Sequence, residues 1–184
     1  LKIIFCPPGN IYNAINLGIR STEDEWITYI NSDDLLDKNL KKEIENLNDK
    51  FDILSGAIKI INVKYNTNYI SRCLPKKLFF SSYFVGGMPI PQSGTIFSRK
   101  LFEELNGFDI NYKYAADYDF FSRAFINKFK YKIVKFKLAS IRMHDSQLSH
   151  RFKKNHCKEI ENISRKLFRN RKYFFINKFF YKLF

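Results

Sequence analysis

Cysteine, glycine and proline are scarce in this chain of 184 residues, with three, seven and five copies. The cysteines, Cys6, Cys73 and Cys157, are widely spaced and form no Cys-x-x-Cys pair, which favours reduced thiols in a cytosolic protein over a disulfide framework. No apolar run is long enough to span a bilayer. Hydrophobic residues nevertheless make up 45% of the chain, which excludes a disordered protein and, at this length, predicts one domain with a short tail.

Acidic residues are few in the second half of the chain. Residues 1–92 carry 11 basic and 10 acidic side chains, whereas residues 93–184 carry 21 and 8. Residues 151–184 alone carry 11 and 2, and they are also rich in phenylalanine and tyrosine. A basic, aromatic end favours an anionic partner such as a membrane, a nucleic acid or an acidic substrate.

Apolar periodicity predicts alternating strands and helices. Asn10 and Ser98 are predicted to cap helices, because their side-chain oxygens can accept a hydrogen bond from the first helical turn. The order is typical of an α/β sheet with mostly parallel strands. Helices are expected at 10–20, 38–49, 98–105, 115–129 and from 156 onward, and strands at 2–5, 26–30, 51–63, 94–97 and 131–142.

Two adjacent carboxylates, Asp33 and Asp34, follow the apolar strand in WITYINSDDLLD, residues 26–37. Ligands of an open α/β sheet bind beyond the carboxyl ends of its strands. Neighbouring carboxylates repel each other, and a divalent cation relieves that repulsion while substrate phosphates fill its remaining coordination positions. The alternative is a solvated loop with an aspartate at a helix cap, and on two residues alone that is the better interpretation.

Longer segments resemble the nucleotide-sugar glycosyltransferases of family 2, GT-A type. Their G-I-Y-D-A-M-N-K-G-I and W-I-x-x-L-N-S-D-D blocks are similar to GNIYNAINLGIRSTEDEWITYINSDDLLD. Their later block, with H-Q, G-x-F-D and A-x-D-Y-D, is similar to MPIPQSGTIFSRKLFEELNGFDINYKYAADYDFFSRA, and Arg142-Met143-His144 resembles their R-x-H. Three blocks in the family's order cover residues 1–150. The resemblance implies a partial GT-A domain there, a Rossmann-like three-layer α/β sandwich with a mostly parallel sheet, followed by a basic helical tail over 151–184.

The resemblance also implies roles for seven residues. Asp117 matches the family's catalytic base, while Asp34 and His144 match ligands of a divalent cation, Mn²⁺ or Mg²⁺. Asp33 would contact the nucleotide ribose or the metal shell. The implied reaction is inverting transfer of a sugar from a nucleotide diphosphate, most often UDP, to a cell-surface glycan or a lipid-linked acceptor. The donor-binding set is Asn16, Asp33, Gln92 and Ser93.

The residues themselves leave other interpretations open. Asp117 follows two alanines, and apolar neighbours would raise the pKa of a base that must take a proton from an acceptor hydroxyl. Taken alone, however, Asp117 is better explained as a helix N-terminal residue that the helix dipole favours. A lone His144 is more often a surface histidine, and His150 and His156 are predicted to be surface residues. Asp119 is expected to point away from Asp117 on its helix.

Several positions differ from the family's usual pattern. Pro91 stands where histidine normally precedes Gln92, Asn13 replaces the aspartate of Y-D-A, and Leu17 replaces the lysine of N-K-G. The family also begins with strands that bind the nucleotide base, and the resemblance starts after them. We therefore expect a partial domain whose full gene product is the enzyme. A noncatalytic, glycosyltransferase-like partner subunit is the alternative that these differences support.

The basic tail is open to two interpretations. Its aromatic and cationic residues could lie on an anionic membrane surface, which would place the protein in the cytoplasm and peripherally on the inner face of the cell membrane. The same pattern is typical of an amphipathic helix that packs its aromatics on the domain. A third class, a basic nucleic-acid-binding protein, ranks low because no groove-reading motif is present, and no nucleic-acid partner is expected.

Overall fold

The computed structural model describes residues 3–38, 40–45, 50–144 and 152–169. Its helices are α1 (Ile11–Arg20), α2 (Leu40–Glu45), α3 (Phe79–Phe84), α4 (Arg99–Glu104), α5 (Ala116–Ile126) and α6 (Lys153–Ser164), and α6 continues as a π-helical segment, Arg165–Arg169. Short 3₁₀ turns cover Lys76–Leu78 and Gln92–Gly94. The strands are β1 (Trp26–Ile27), β2 (Leu35–Leu36), β3 (Ile53–Asn62), β4 (Thr67–Ser71), β5 (Thr95–Ser98) and β6 (Tyr131–Met143).

The strands form one mixed sheet in the order β1-β5-β3-β6-β2, with β4 paired to β3. The predicted α/β class is confirmed, but the pairing differs from a mostly parallel sheet. Only β3 and β6 run parallel in the described residues, and the other four pairs are antiparallel. For β3 and β4 the antiparallel pairing follows from their short connection. A short turn can join only antiparallel strands, whereas a parallel neighbour needs a long crossover.

Some predicted boundaries also differ from the structure. The strand expected at 26–30 pairs only over Trp26–Ile27, because the Thr28 side chain, rather than a backbone ladder, then donates to the Thr95 carbonyl at 3.0 Å. Residues 3–5 form no strand in the described structure. The helix expected at 38–49 is present as α2, and residues 46–49 lie outside the described part.

The helix caps predicted at Asn10 and Ser98 are confirmed. The Asn10 side chain accepts the Tyr12 N–H at 2.9 Å, and the Ser98 hydroxyl accepts the Leu101 N–H at 3.2 Å. Each cap satisfies a donor that the first helical turn leaves without an intrahelical partner. Sequence-local chemistry therefore sets where α1 and α4 begin.

Aromatic side chains dominate the core between the sheet and α1, α4 and α5. Phe108 is 2% exposed, and its ring stacks on Phe120 with centroids 4.5 Å apart. On the other side of α5, Asp119 pairs with Arg123 at 2.7 Å, and Arg123 also donates to the Leu105 and Gly107 carbonyls. Asp119 thus points away from Asp117, as predicted, and helps to fasten α5 to the end of α4.

The first part of the basic tail packs on the domain. Ile163 and Phe168 are almost fully buried, and the Phe168 ring stacks on Tyr83 with centroids 5.6 Å apart. The Ser164 hydroxyl donates to the Phe84 carbonyl at 2.8 Å. Within the part of the chain that is described, no helix has the length and apolar character needed to cross a membrane. Residues 170–184, which carry most of the tail's aromatics, lie outside the described residues.

Asn16 joins α1 to the turn that follows α4. This side chain is 5% exposed, and it both donates to the Phe108 carbonyl at 2.8 Å and accepts the Phe108 N–H at 2.9 Å. Both backbone groups are buried, so the amide replaces the water that they would otherwise bind.

Replacing Asn16 with alanine should therefore destabilise the protein. The substitution leaves the buried N–H and C=O of Phe108 without partners, and we expect a loss of roughly 2–4 kcal/mol of unfolding free energy. Denaturant unfolding measures it. Asn13→Ala, on the same helix but exposed, is the matched control and should change the stability by less than about 0.5 kcal/mol. Equal unfolding midpoints for the two variants would contradict the role given to Asn16.

Candidate active site

A cavity of about 510 Å³ gathers residues from six separate parts of the chain. They come from α1, the loop after β1, the turn before β5, the start of α5 and the ends of β6 and α6. Four of the predicted site residues line this cavity, although they are far apart in sequence. The lining consists of Ile11, Tyr12, Ile15, Tyr29, Asn31, Ser32, Asp33, Gln92, Lys113, Tyr114, Asp117, His144 and His156.

Asp33 and His144 meet at the cavity wall. The Asp33 Oδ2 and His144 Nε2 atoms are 2.7 Å apart, and each side chain is about one third exposed. The hydrogen bond with His144 lowers the pKa of the Asp33 carboxyl, so that this carboxylate stays ionised. A carboxylate oxygen and an imidazole nitrogen so close together form a polar pair open to a ligand.

Asp34 faces the opposite way. Its Oδ1 accepts the Arg142 N–H at 3.0 Å, and its Oδ2 accepts from the Asn31 side chain at 3.2 Å. Asp34 is 8% exposed and does not line the cavity. The hydrogen bond between Asp34 and Arg142 extends the β2–β6 pairing by one contact. It holds the loop that carries Asp33 beside the end of β6, where His144 follows Arg142 by two residues.

Asp117 lies in the first turn of α5, where the cavity meets the core. Its Oδ1 accepts the Tyr12 hydroxyl at 3.1 Å and the Tyr118 N–H at 2.8 Å. Burial raises the pKa of the Asp117 carboxyl, and the hydrogen bonds offset only part of that effect. The predicted upward shift is confirmed. A partly buried carboxylate with a raised pKa in a cleft has the proton affinity that a general base needs.

The predicted donor-binding residues are divided. Gln92 lines the cavity and donates to the Tyr29 carbonyl at 3.1 Å. Ser93 is buried behind it and donates to the Gln92 side chain at 3.2 Å. Asn16 is occupied by the Phe108 backbone and lies outside the cavity. The geometry thus leaves Gln92 facing the cavity, where it can contact a ligand. Ser93 and Asn16 instead bind neighbouring groups of the protein.

Sequence reasoning missed several cavity residues. His156, predicted to be a surface residue, lines the cavity because α6 folds back against the start of α5. Tyr12 lies in the segment that resembles the family's G-I-Y-D-A block, so that block could have indicated its place in the site. Nothing local to His156 marks it, since its position depends on a contact between distant segments.

A second cavity, of about 930 Å³, is larger but lacks the chemistry of the first. Its aromatic floor includes Phe79, Phe129 and Phe168, and lysines surround it. Neither carboxylates nor imidazoles occur among its described lining residues. The smaller cavity, with two carboxylates and two histidines, is therefore the candidate active site.

Comparison with known proteins shows the family of this chain. Residues 1–106 match the family model described as glycosyl transferase family 2, which is more than half of the chain. This chain belongs to glycosyl transferase family 2. The matched range contains Asp33, Asp34 and Gln92, whereas Asp117 and His144 lie beyond it. No curated protein matches the sequence.

Solved structures share the fold of this family 2 chain. S. aureus TarS superposes with a TM-score of 0.59 at 16% identity, over 89% of this chain and 28% of TarS. TarS 1-349 in complex with UDP gives 0.56 at 15% identity, and the complex with UDP-GlcNAc gives 0.57 at 16%. These cover 89% and 85% of this chain and 46% of each TarS chain. The chain thus spans less than half of these three neighbours, and the likeness shows a GT-A-like fold.

In this family 2 site, Asp117→Asn should make the protein more stable at about pH 7. Because the pKa of Asp117 is raised above its ordinary 3.8, its contribution to stability is full below that value and is lost as the pH rises through the raised value. Asparagine keeps Oδ1 as an acceptor for Tyr12 and Tyr118 but does not ionise.

Urea unfolding at a series of pH values measures this difference. The midpoint of Asp117→Asn should exceed that of the parent at about pH 7, and the gap should close as the pH falls to 3.8. Asp24→Asn, at an exposed position, is the control. A gap that is the same at every pH would contradict the raised pKa.

Proposed function

We propose that this family 2 chain forms the catalytic part of a metal-dependent, inverting glycosyltransferase. It would move a sugar from a nucleotide diphosphate sugar, most plausibly a UDP-sugar, to a glycan or lipid-linked acceptor. The observation that carries the proposal is the convergence of Asp117 with the Asp33–His144 pair on one cavity. Asp117 has the properties of a base, and the Asp33–His144 pair suits a cation and a diphosphate.

The residues at the Asp33–His144 pair fit a divalent cation, Mn²⁺ or Mg²⁺. Such ions prefer oxygen ligands and are often held by one or two protein groups together with substrate phosphates. Asp33 and His144 would hold the ion, and Asp34, whose oxygens both accept hydrogen bonds, would support the loop instead of binding directly. When bound, the cation supplies positive charge that stabilises the departing diphosphate. Among the described residues no group of three or more potential ligands clusters, so the donor phosphates would complete the coordination.

Asp117 would act on the acceptor. Its raised pKa suits removal of the proton from an acceptor hydroxyl as that oxygen attacks the anomeric carbon. The bond from that carbon to the diphosphate oxygen breaks on the opposite face, which inverts the configuration. Tyr12, which donates to Asp117, would hold the carboxylate in orientation.

The choice of donor is supported by the neighbours. TarS 1-349 was solved in complex with UDP and with UDP-GlcNAc, and its fold is similar to that of this chain. The position of Gln92 on the cavity wall makes it the candidate contact to the donor.

Two other functions explain less of the site. A noncatalytic partner subunit would leave a partly buried carboxylate of raised pKa beside a polar cleft, at a cost in stability and without a use. A nucleic-acid-binding protein would use the basic surface and not the cavity. The noncatalytic alternative is supported by the departures from the family's usual pattern at Asn13, Leu17 and Pro91.

Activity of the full-length gene product tests the proposal. With a panel of nucleotide sugars and Mn²⁺ or Mg²⁺, the parent should hydrolyse or transfer one donor. Asp117→Asn should lower the rate about 10²–10⁴-fold, since it removes the general base. Asp24→Asn should retain the parent rate. Parent-level turnover in Asp117→Asn would refute the role of the base.

The same assay separates the two adjacent carboxylates. Asp33→Asn should raise the metal concentration needed for half-maximal activity by about 10- to 100-fold, because a ligand oxygen is lost. Asp34→Asn keeps an acceptor for the Arg142 N–H and should shift that concentration less. The reverse order would return the role of direct ligand to Asp34.

A peripheral membrane location is proposed for the tail. Residues 170–184 contain four basic and seven aromatic side chains and no acidic one, a composition that suits an anionic lipid interface. Deleting 170–184 should move the protein from the pelleted membrane fraction to the supernatant. This deletion leaves the buried Phe168 in place, so it does not disturb the packing of the domain. Unchanged partitioning would remove the proposed location at the membrane.

A further inference from the structure

Glu159 on α6 binds the loop that leads into α5. Its Oε1 accepts the Lys113 N–H at 3.0 Å, and its Oε2 accepts the N–H groups of Tyr114 and Ala115 at 2.8 and 2.9 Å. Three consecutive backbone donors thus converge on one carboxylate that lies more than 40 residues away in sequence. Hydrogen bonds to an ionised acceptor are stronger and more directional than neutral ones.

This contact fixes the backbone at the start of α5. Ala115 occupies the N-cap position, and its methyl group cannot accept a hydrogen bond. Glu159 fixes the backbone of Ala115 from outside the helix, and Asp117 follows only two residues later. The same loop presents Tyr114 to the cavity, and the Tyr114 carbonyl lies 3.4 Å from the Tyr12 hydroxyl, which also donates to Asp117.

Helix α6 therefore takes part in the site at two points. His156 and Glu159 are three residues apart and lie on one face of the helix. His156 contributes to the cavity wall, and Glu159 holds the loop beside it. Both lie beyond residues 1–106, the range that matches the family model, so the family match assigns neither of them.

We propose that Glu159 is a positioning residue for the transfer reaction: by binding the N–H groups of residues 113–115 it sets the place of Asp117 relative to the acceptor hydroxyl. This inference rests on the proposed function. Glu159 touches neither donor nor acceptor in this scheme, and the Asp33–His144 pair stands on other elements. Its loss should accordingly affect the catalytic step and leave donor binding unchanged.

Glu159→Gln in the full-length gene product tests the inference. Glutamine has nearly the same size but offers one acceptor oxygen and turns an N–H₂ group toward the loop. We expect kcat to fall by about 10- to 100-fold, because small displacements of a reacting group are that costly, while KM for the donor stays within about twofold. The amides of residues 113–115 should also exchange with solvent faster, with the amides at the centre of α5 unchanged.

The matched control is Glu161→Gln on the same helix. Glu161 is half-exposed, and in the described structure its carboxylate pairs with Arg165 of the π-helical segment at 2.5 Å. It should leave kcat, donor KM and the exchange of residues 113–115 as in the parent.

The outcomes are distinguishable from failure of the proposed function. A parent with no activity toward any nucleotide sugar would overturn that function, and the positioning role with it. An active parent whose Glu159→Gln variant keeps its kcat would overturn the positioning role alone, and so would a parallel loss of donor binding. If Glu159→Gln does not fold, Glu159→Asp, which keeps the charge and shortens the reach, must still lower kcat with donor KM unchanged, and parent-level kcat in it overturns the inference.

Discussion

The candidate site depends on keeping one partly buried carboxylate, that of Asp117, between two helices. Burial disfavours its ionised form, and the fold offsets that cost with two donors, the Tyr12 hydroxyl and the Tyr118 N–H. Tyr12 is on α1, so the position of α1 decides whether the carboxylate is satisfied. Asn10 and Asn16, one at each side of Tyr12, bind the backbone at Ile110 and Phe108 and fasten α1 to the segment that leads to Asp117.

The repulsion between the neighbouring charges of Asp33 and Asp34 is reduced because the two carboxylates face different sides of the loop. Asp33 and Asp34 are the last two residues of a turn that the hydrogen bond from the Asp34 N–H to the Asn31 carbonyl closes at 3.1 Å. Asp34 turns inward and takes a backbone N–H from β6, whereas Asp33 turns to the cavity and meets His144. The inward carboxylate fixes the loop and the outward one remains available, so a D-D sequence at a strand end can supply both an anchor and a ligand.

Much of this was accessible from sequence where the determining contacts are local. The caps Asn10 and Ser98 follow from side-chain chemistry within one turn, and the order of the motifs was enough to group Asp33, Gln92, Asp117 and His144 at one cavity. The direction of Asp33 against Asp34 was not accessible, because it depends on the turn at Asn31–Asp34 and on the long-range hydrogen bond from the Arg142 N–H to Asp34.

Long-range pairing limited the rest. The antiparallel partners of β5 and β6 come from distant segments, and no periodicity in a single strand reveals which neighbour it takes. His156 lies in a polar helix whose role is decided by what it packs on. Asn16 was assigned to the donor from its motif, while its amide is used by the Phe108 backbone. The roles of the site residues in catalysis stay predictions.

The contact between Glu159 and residues 113–115 also has a consequence for biosynthesis. Chains are made from the N-terminus at roughly 5–20 residues per second, and domains fold as they emerge. The sheet and α5 can form as soon as β6 has left the ribosome, but the loop before Asp117 has its anchor only after α6 follows. Residues 113–115 would thus gain these three hydrogen bonds later than the rest of the domain gains its contacts.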